Sequence, residues 1–261
     1  MNENSENGVY NFFKPHEELQ GYIAYYSIYK GKFLEKSPVF LPDLGGSIII
    51  SQCNDNIINV WGPYSKTTRI NTFLNGLSSQ FLIEFQPGGL SFLIYQNCTD
   101  LLNMQLLLED VNKGFALKIK NIFEQYKNTG QIIAALDTLF LNILNTKESN
   151  MGQKILKYLQ NVKTTMPIYD FTEKIGYTTR HINRYLNTVL GVSGKKYLKI
   201  KRFYQSVELL KSHMKIEEIA FALEYFDPSH FIHEFMTISG LSPLNFRQNM
   251  SDFYNYRMKI L

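Results

Sequence analysis

The feature that most constrains this chain is an internal repeat in its second half. Residues 168–177 (IYDFTEKIGY) align with residues 216–225 (IEEIAFALEY) at an offset of 48. Further on, Gly191-Val192-Ser193-Gly194 aligns with Gly240-Leu241-Ser242-Pro243 at an offset of 49. The extra residue falls in the turn between the two helices of the second copy. Each copy reads as a short helix, a tight turn and a second short helix. That is the helix-turn-helix pattern, whose second helix can lie in the major groove of DNA.

Apolar residues at helical spacing run through the whole of this half. The stripes are Ile155, Leu156, Leu159 and Val162; then Ile168, Phe171 and Ile175 behind Pro167; then Ile182, Leu186 and Val189. A long fourth stripe takes in Leu198, Ile200, Phe203, Tyr204, Val207 and Leu210. Ile216, Ile219, Ala220 and Leu223 form the fifth, 231–238 the sixth, and 243–261 suits a terminal helix.

Charge divides along the same line. The chain's formal net charge is +4. Residues 1–149 hold 11 Lys and Arg against 14 Asp and Glu, a net of −3, and residues 150–261 hold 16 against 9, a net of +7. From Lys174 to Val207 there is no acidic residue, while Lys174, Arg180, Arg184, Lys195, Lys196, Lys199, Lys201 and Arg202 all fall there. A basic face of this kind is what displaces counterions from a duplex. The second copy lacks it: 208–247 carries three basic residues against six acidic ones.

The back half resembles the DNA-binding domain of the AraC/XylS transcription regulators over about residues 153–250. The resemblance is carried by Gly176-Tyr177-Thr178, Leu186, Gly191-Val192-Ser193, Tyr197-Leu198 and Arg202 in the first unit and linker. In the second unit it is carried by Ala220, Phe226-Asp227-Pro228-Ser229-His230-Phe231, Phe235 and Gly240-Leu241-Ser242-Pro243. Three positions depart from the family pattern. Glu224 stands for a turn glycine, His233 for an arginine, and Glu234 adds a negative charge. Thr178 suits the N-cap of the first recognition helix. Thr179, Arg180, Asn183 and Arg184 then fall on its outer side, where arginine can read guanine and asparagine adenine, or arginine can clamp phosphate. Lys195 and Lys196 open the linker helix. In the second unit the outward positions are Pro228, Ser229, Ile232 and His233, a set poor in long hydrogen-bonding side chains. The first unit is therefore expected to read bases and the second to position DNA. The competing reading, prompted by Glu224 and His233, is a ligand-binding or protein-interaction module with a degenerate DNA-binding domain.

The front half is β-rich. Strands are expected at 22–29, 47–51, 57–61 and 81–85, with a hairpin tip at Asn54-Asp55-Asn56. Such short, regularly punctuated strands suit a sandwich or small barrel. The order of a β-rich front, helices and this back half resembles regulators of the same family with cupin-like sensor domains, which implies a small-molecule effector and a homodimer. Tyr22, Tyr25, Trp61 and Phe85 either line a ligand pocket or fill the core, and alternation puts some of them on opposite faces. Helical periodicity begins at about Leu101. Amphipathic helices at 115–124 and 131–144 either form a dimer seam or cover the sheet.

The expected fold is therefore α+β and multidomain. It comprises a disordered tail (1–8), a β-rich cupin-like barrel (9–99), a helical extension (100–144), a linker (145–152) and an all-α domain with two helix-turn-helix units (153–261). The implied partners are double-stranded DNA, RNA polymerase, an effector and a second copy, in the cytoplasm and without a membrane. No catalytic, metal or cofactor motif emerges. His233-Glu234 has Thr237 where a zinc protease motif needs its second histidine. Cys53 and Cys98 have no nearby histidines. Gly194-Lys195 lacks the remaining residues of a phosphate loop, and Pro87-Gly88-Gly89 is a turn.

Overall fold

A computed structural model describes residues 2–5, 8–31, 39–51, 56–69, 79–94, 97–146, 157–158, 164, 176–212 and 214–249. The first half is built on β1 (Asn2–Ser5), β2 (Gly8–Phe13), β3 (Ile23–Gly31), β4 (Val39–Phe40), β5 (Ser47–Ser51), β6 (Ile57–Trp61), β7 (Thr68–Arg69), β8 (Ser79–Phe85) and β9 (Gln105–Leu107). Seven of them form an antiparallel sheet in the order β1-β2-β3-β8-β5-β6-β9, and β4 pairs with β7. Strands β5 and β6 have the expected bounds. Their register, Ser51 opposite Ile57, makes them a hairpin, and Asn56 in its connection is left-handed at φ 43. Residues 52–55 lie outside the described set.

Two expectations change. Asn2–Ser5, taken as part of a disordered tail, is a strand hydrogen-bonded to β2. Polar side chains do not prevent an edge strand, because the ladder is made by backbone groups. Gln105–Leu107, taken as helical, pairs with β6. A run of three leucines has no periodicity of its own, and the open edge of β6 decides its state.

Alternation along the strands gives the sheet two different faces. On one, Ile23, Tyr26, Ile28, Ile48, Ile50, Ile58, Val60, Phe81, Ile83 and Phe85 are buried. They pack against α1 (Gly89–Ile94), α3 (Leu108–Gln125) and α4 (Thr129–Asn145), with the short α2 (Cys98–Leu101) between. Phe81 meets Phe123 edge-on at 5.2 Å between centroids, and Phe85 meets Phe140 at 6.2 Å. Tyr26 is buried on this side and its hydroxyl donates to Asp137 at 2.7 Å, which ties α4 to the sheet. The other face carries a small apolar cluster of Tyr29, Ile49 and Leu82 among buried polar residues.

The second half continues with α5 (Thr179–Leu190), α6 (Gly194–Lys211), α7 (Ile216–Ala222), α8 (Pro228–Ser239) and α9 (Pro243–Gln248). The stripes expected at 182–189, 198–210, 216–223 and 231–238 all line its core. Helix α9 covers the start of the expected terminal helix. Residues 250–261, the 168–175 stripe and most of the 145–152 linker lie outside the described set.

The two halves dock. Leu44, from the turn before β5, is fully buried in the helical core. The Tyr204 hydroxyl on α6 donates to Pro42 O, Thr67 N–H donates to Ile238 O at 3.0 Å, and Thr99 Oγ1 donates to Asn187 O at 2.7 Å. Gly191 and Gly240 end α5 and α8 in the left-handed conformation, at φ 72 and 75. A Cβ on Gly191 would lie 2.8 Å from Cys98 O, whereas one on Gly240 meets nothing within 4 Å. Gly240→Ala should therefore cost about 1 kcal/mol from backbone strain alone. Gly191→Ala should cost clearly more, because the facing backbone must also move. Urea unfolding of both variants checks the order.

Candidate nucleic-acid interface

The repeat is visible as a repeat of caps. Gly176 is left-handed at φ 75, Tyr177 follows, and Thr178 caps α5 by accepting from His181 N–H. In the second copy Glu224 is left-handed at φ 55, Tyr225 and Phe226 follow, and Asp227 caps α8 by accepting from His230 N–H at 2.7 Å. Glu224 thus adopts the conformation that favours glycine, a side chain with a Cβ in a strained region. The inserted residue is Phe226, and it is 93% exposed. After each recognition helix a left-handed glycine is followed two residues later by a serine cap: Ser193 accepts from Lys196 N–H, and Ser242 from Asn245 N–H.

In the first unit Ile182 and Leu186 face the core, which leaves Arg180 and Arg184 exposed and Thr179 half-buried. Asn183 is turned inward more than expected. Its Oδ1 accepts from Gly194 N–H at 3.1 Å, at the start of α6. Bidentate reading of adenine needs both the amide oxygen and the amino group, so Asn183 would have to release α6 to do it. Arg184 lies 3.4 Å from His181 Nδ1. Lys195 is exposed and Lys196 half-buried, where burial and the nearby Lys66 and Lys199 lower its pKa. In the second unit Ser229 and His233 are exposed, while Ile232 packs partly against the core. Phe231 is fully buried, and the His230 ring sits edge-on to Tyr225 at 5.3 Å.

Glu234 has a role that linear order did not show. It is on α8, its side chain is 5% exposed, and it accepts from Tyr225 OH at 2.8 Å. It also pairs with Lys199 at 2.8 Å and Arg202 at 2.9 Å, both on α6, and Arg202 stacks over the Tyr225 ring at 4.5 Å. Burial pushes the Glu234 carboxyl up, but Lys199, Tyr225 and Arg202 together outweigh that, and its pKa is lowered. The second recognition helix is thereby locked to the linker helix. Two cations of the expected basic face are engaged in that lock, and a third, Lys201, is buried. Arg180, Arg184 and Lys195 are the exposed cations that remain in 176–202.

The four aromatic candidates for a ligand pocket do not come together. Phe85 is fully buried against Phe140, and Tyr22 stacks on Phe92 at 4.6 Å, both on the helix-covered side of the sheet. Trp61 packs with the cluster on the other face, and Tyr25 alternates to that same face and meets Phe12 at 5.2 Å. Register puts Tyr25 and Trp61 in one row with Glu84, the immediate neighbour of Phe85 on β8, and alternation therefore sends them to the opposite face from Phe85. Cys98 is a buried free thiol, with Cys53 outside the described residues. Among the described residues no cluster of three or more His, Cys, Asp or Glu is placed to hold a metal ion, and no helix is long and apolar enough to cross a membrane.

Residues 171–249 match the family model described as a helix-turn-helix domain. No curated protein matches the chain. Similar solved structures include the C-terminal domain of AraT, a response regulator from Geobacillus stearothermophilus, at 21% identity over 42% of this chain and 92% of that one, with a TM-score of 0.36. ToxT from Vibrio cholerae O395 is 12% identical over 94% of this chain and 98% of that one, with a TM-score of 0.40. The transcriptional regulator CdpR from Pseudomonas aeruginosa is 19% identical over 67% of this chain and 46% of that one, with a TM-score of 0.34.

Proposed function

We propose that this chain, whose residues 171–249 are a helix-turn-helix domain, is a sequence-specific transcription regulator. It acts on double-stranded DNA in the cytoplasm and is controlled by a small effector held in the sheet-bearing half. The observation that carries the reading is the pair of capped recognition helices, α5 and α8, with one continuous helix, α6, leading from the first to the unit formed by α7 and α8, and with Arg180 and Arg184 exposed on α5. Arg180 and Arg184 read bases or clamp phosphate, and Lys195 adds a phosphate contact. Ser229 and His233 offer the second unit shorter reach, which favours a positioning role for it.

The test is an anisotropy titration of the full chain against duplexes enriched from a random pool, and against unenriched duplexes, at two salt concentrations. Tight binding to the enriched set with a steep salt slope is expected. Binding equal on both sets would instead support a module whose DNA-binding half has degenerated. Arg180→Ala should relax base preference, while Lys195→Ala should weaken all duplexes about equally and flatten the salt slope by about 1. If Ser229→Ala or His233→Ala relaxes base preference more than Arg180→Ala does, the asymmetric reading is wrong.

A second copy is the partner that suits α3. Leu117, Ile57 and Leu107 are exposed along a groove of ≈ 500 Å³ that also takes in Ala116, with Glu109, Lys113 and Lys120 around it. If this groove is the dimer seam, Leu117→Glu converts a dimer to a monomer in light scattering. A contact with RNA polymerase follows from the regulatory reading and is tested by transcription in vitro on the enriched sites.

A further inference from the structure

The sheet face turned away from α1, α3 and α4 is buried yet polar. Register places its side chains in rows. Tyr29 lies opposite Gln80 and Gln80 opposite Ser51; Ser27 lies opposite Leu82 and Leu82 opposite Ile49; Tyr25 lies opposite Glu84, Glu84 opposite Ser47 and Ser47 opposite Trp61. Ser27, Ser51 and Gln80 are 0%, 1% and 2% exposed. Ser27 Oγ, Ser51 Oγ and Gln80 Nε2 are all buried with no hydrogen-bond partner among the described residues. A buried polar atom without a partner forfeits its hydration and gains nothing in return. Three such atoms on adjacent strands of one face, with two of their residues directly opposite each other, are not scattered defects.

We propose that this face is the effector site, and that its ligand is a small uncharged molecule bearing several hydroxyl or carbonyl oxygens. The inference rests on the effector reading given above and names the chemistry of that site. Gln80 Nε2 can only donate, so it calls for a ligand oxygen. The Ser27 and Ser51 hydroxyls can donate or accept, which suits ligand hydroxyls. Trp61 and Tyr29 supply apolar surface at either end of the rows.

On this face the four strands offer an anion no counter-charge. Glu84 is 6% exposed within the same rows, and the one basic residue on β3, β5, β6 and β8, Lys30, is exposed and alternates to the other face. Burying a charge without a counter-charge is costly.

The test uses the full chain and the variants Ser51→Ala and Gln80→Leu. In the absence of ligand Ser51→Ala removes only a polar atom that has no partner, so its Tm should rise, by about 2 °C or more, whereas Gln80→Leu also removes the amide oxygen and should rise less. A fall in Tm for both would mean that these atoms hold the structure together and would overturn the proposal. Thermal shift is then measured with three probe sets of matched size: neutral polyols and monosaccharides, carboxylates including fatty acids, and amines. A shift with a neutral compound that disappears in Gln80→Leu and Ser51→Ala is expected. No shift with any neutral compound, or a shift that survives both substitutions, overturns it. The effector reading fails separately. If carboxylates or amines shift Tm and alter DNA affinity, an effector exists but its class is wrong. If nothing alters DNA affinity, the control by an effector is itself refuted.

Discussion

Glu234→Ala should be among the most damaging single substitutions in the helical half, with a loss of about 3 kcal/mol. Removing one partner of a buried ion pair leaves the other charge desolvated and typically costs about 3–5 kcal/mol. The lower end applies here because Lys199 is 37% exposed and water screens it, whereas Arg202 is 16% exposed. Tyr225 loses its acceptor in the same step. Glu234→Gln keeps an acceptor and the side-chain shape, so its cost should be smaller. Chemical denaturation of the three proteins gives the comparison, and a variant as stable as the parent would show that Lys199 and Arg202 find other partners.

The pH dependence has a definite sign. The folded carboxyl titrates below its usual value of 4.5. Its contribution is therefore complete above that value and disappears as pH falls through the lowered folded pKa. Glu234→Gln should remove that part of the acid sensitivity. Because the lock joins α8 to α6, both Glu234 variants should also lower affinity for enriched duplexes more than Ser229→Ala does.

Leu44→Ala should separate the two halves. Leu44 is fully buried in a cluster whose other buried members all come from the helical half. A buried leucine truncated to alanine costs about 2–5 kcal/mol. Here the loss falls on docking, because Leu44 sits in a turn and is not part of the sheet's own core cluster. Calorimetry of the parent should show one cooperative transition, and Leu44→Ala two, with the sheet's signal persisting to higher temperature. A single transition at an unchanged midpoint would mean that the halves are not energetically coupled through this turn. Tyr204→Phe, which removes the hydroxyl bonded to Pro42 O, should act in the same direction and more weakly. The same contacts carry a functional consequence. The segments around 42–44, 67 and 99 hold α6 and the C-terminal ends of α8 and α5. A change in the sheet half therefore has a physical route to both recognition helices.

The chain's local chemistry explains why some of this was legible in advance. Strands β5 and β6 were readable to the residue because apolar runs rich in isoleucine are bounded by glycine, proline and asparagine. The Thr178 cap was readable because it acts through a neighbour three residues away; Asp227, Ser193 and Ser242 cap by the same local bond, and Gly191 and Gly240 end their helices through their own φ. Glu224 also followed from the repeat, since its place is that of Gly176 and the turn imposes the same left-handed backbone.

Contacts between distant residues were beyond reach of that reasoning. Counting charges between Lys174 and Arg202 suggested a continuous basic face. Only packing shows that Glu234, 35 residues beyond Lys199 in sequence, neutralises part of it. Asn183 reads as a base-contacting residue by position, yet α6 turns back to place Gly194 N–H on its side chain.

By itself the sequence determined the division into a strand-bearing front and a helical back, the two recognition helices with the Thr178 cap, and four of the nine described strands, because each depends on periodicity or on interactions within a few residues. The tertiary structure decided which face of the sheet each aromatic joins, where the run 105–107 pairs, how many of the basic residues remain exposed, and how the halves dock. Those depend on register, on the direction in which α6 leaves the first unit, and on burial, where a charge or hydroxyl acquires its meaning from neighbours that sequence distance does not specify.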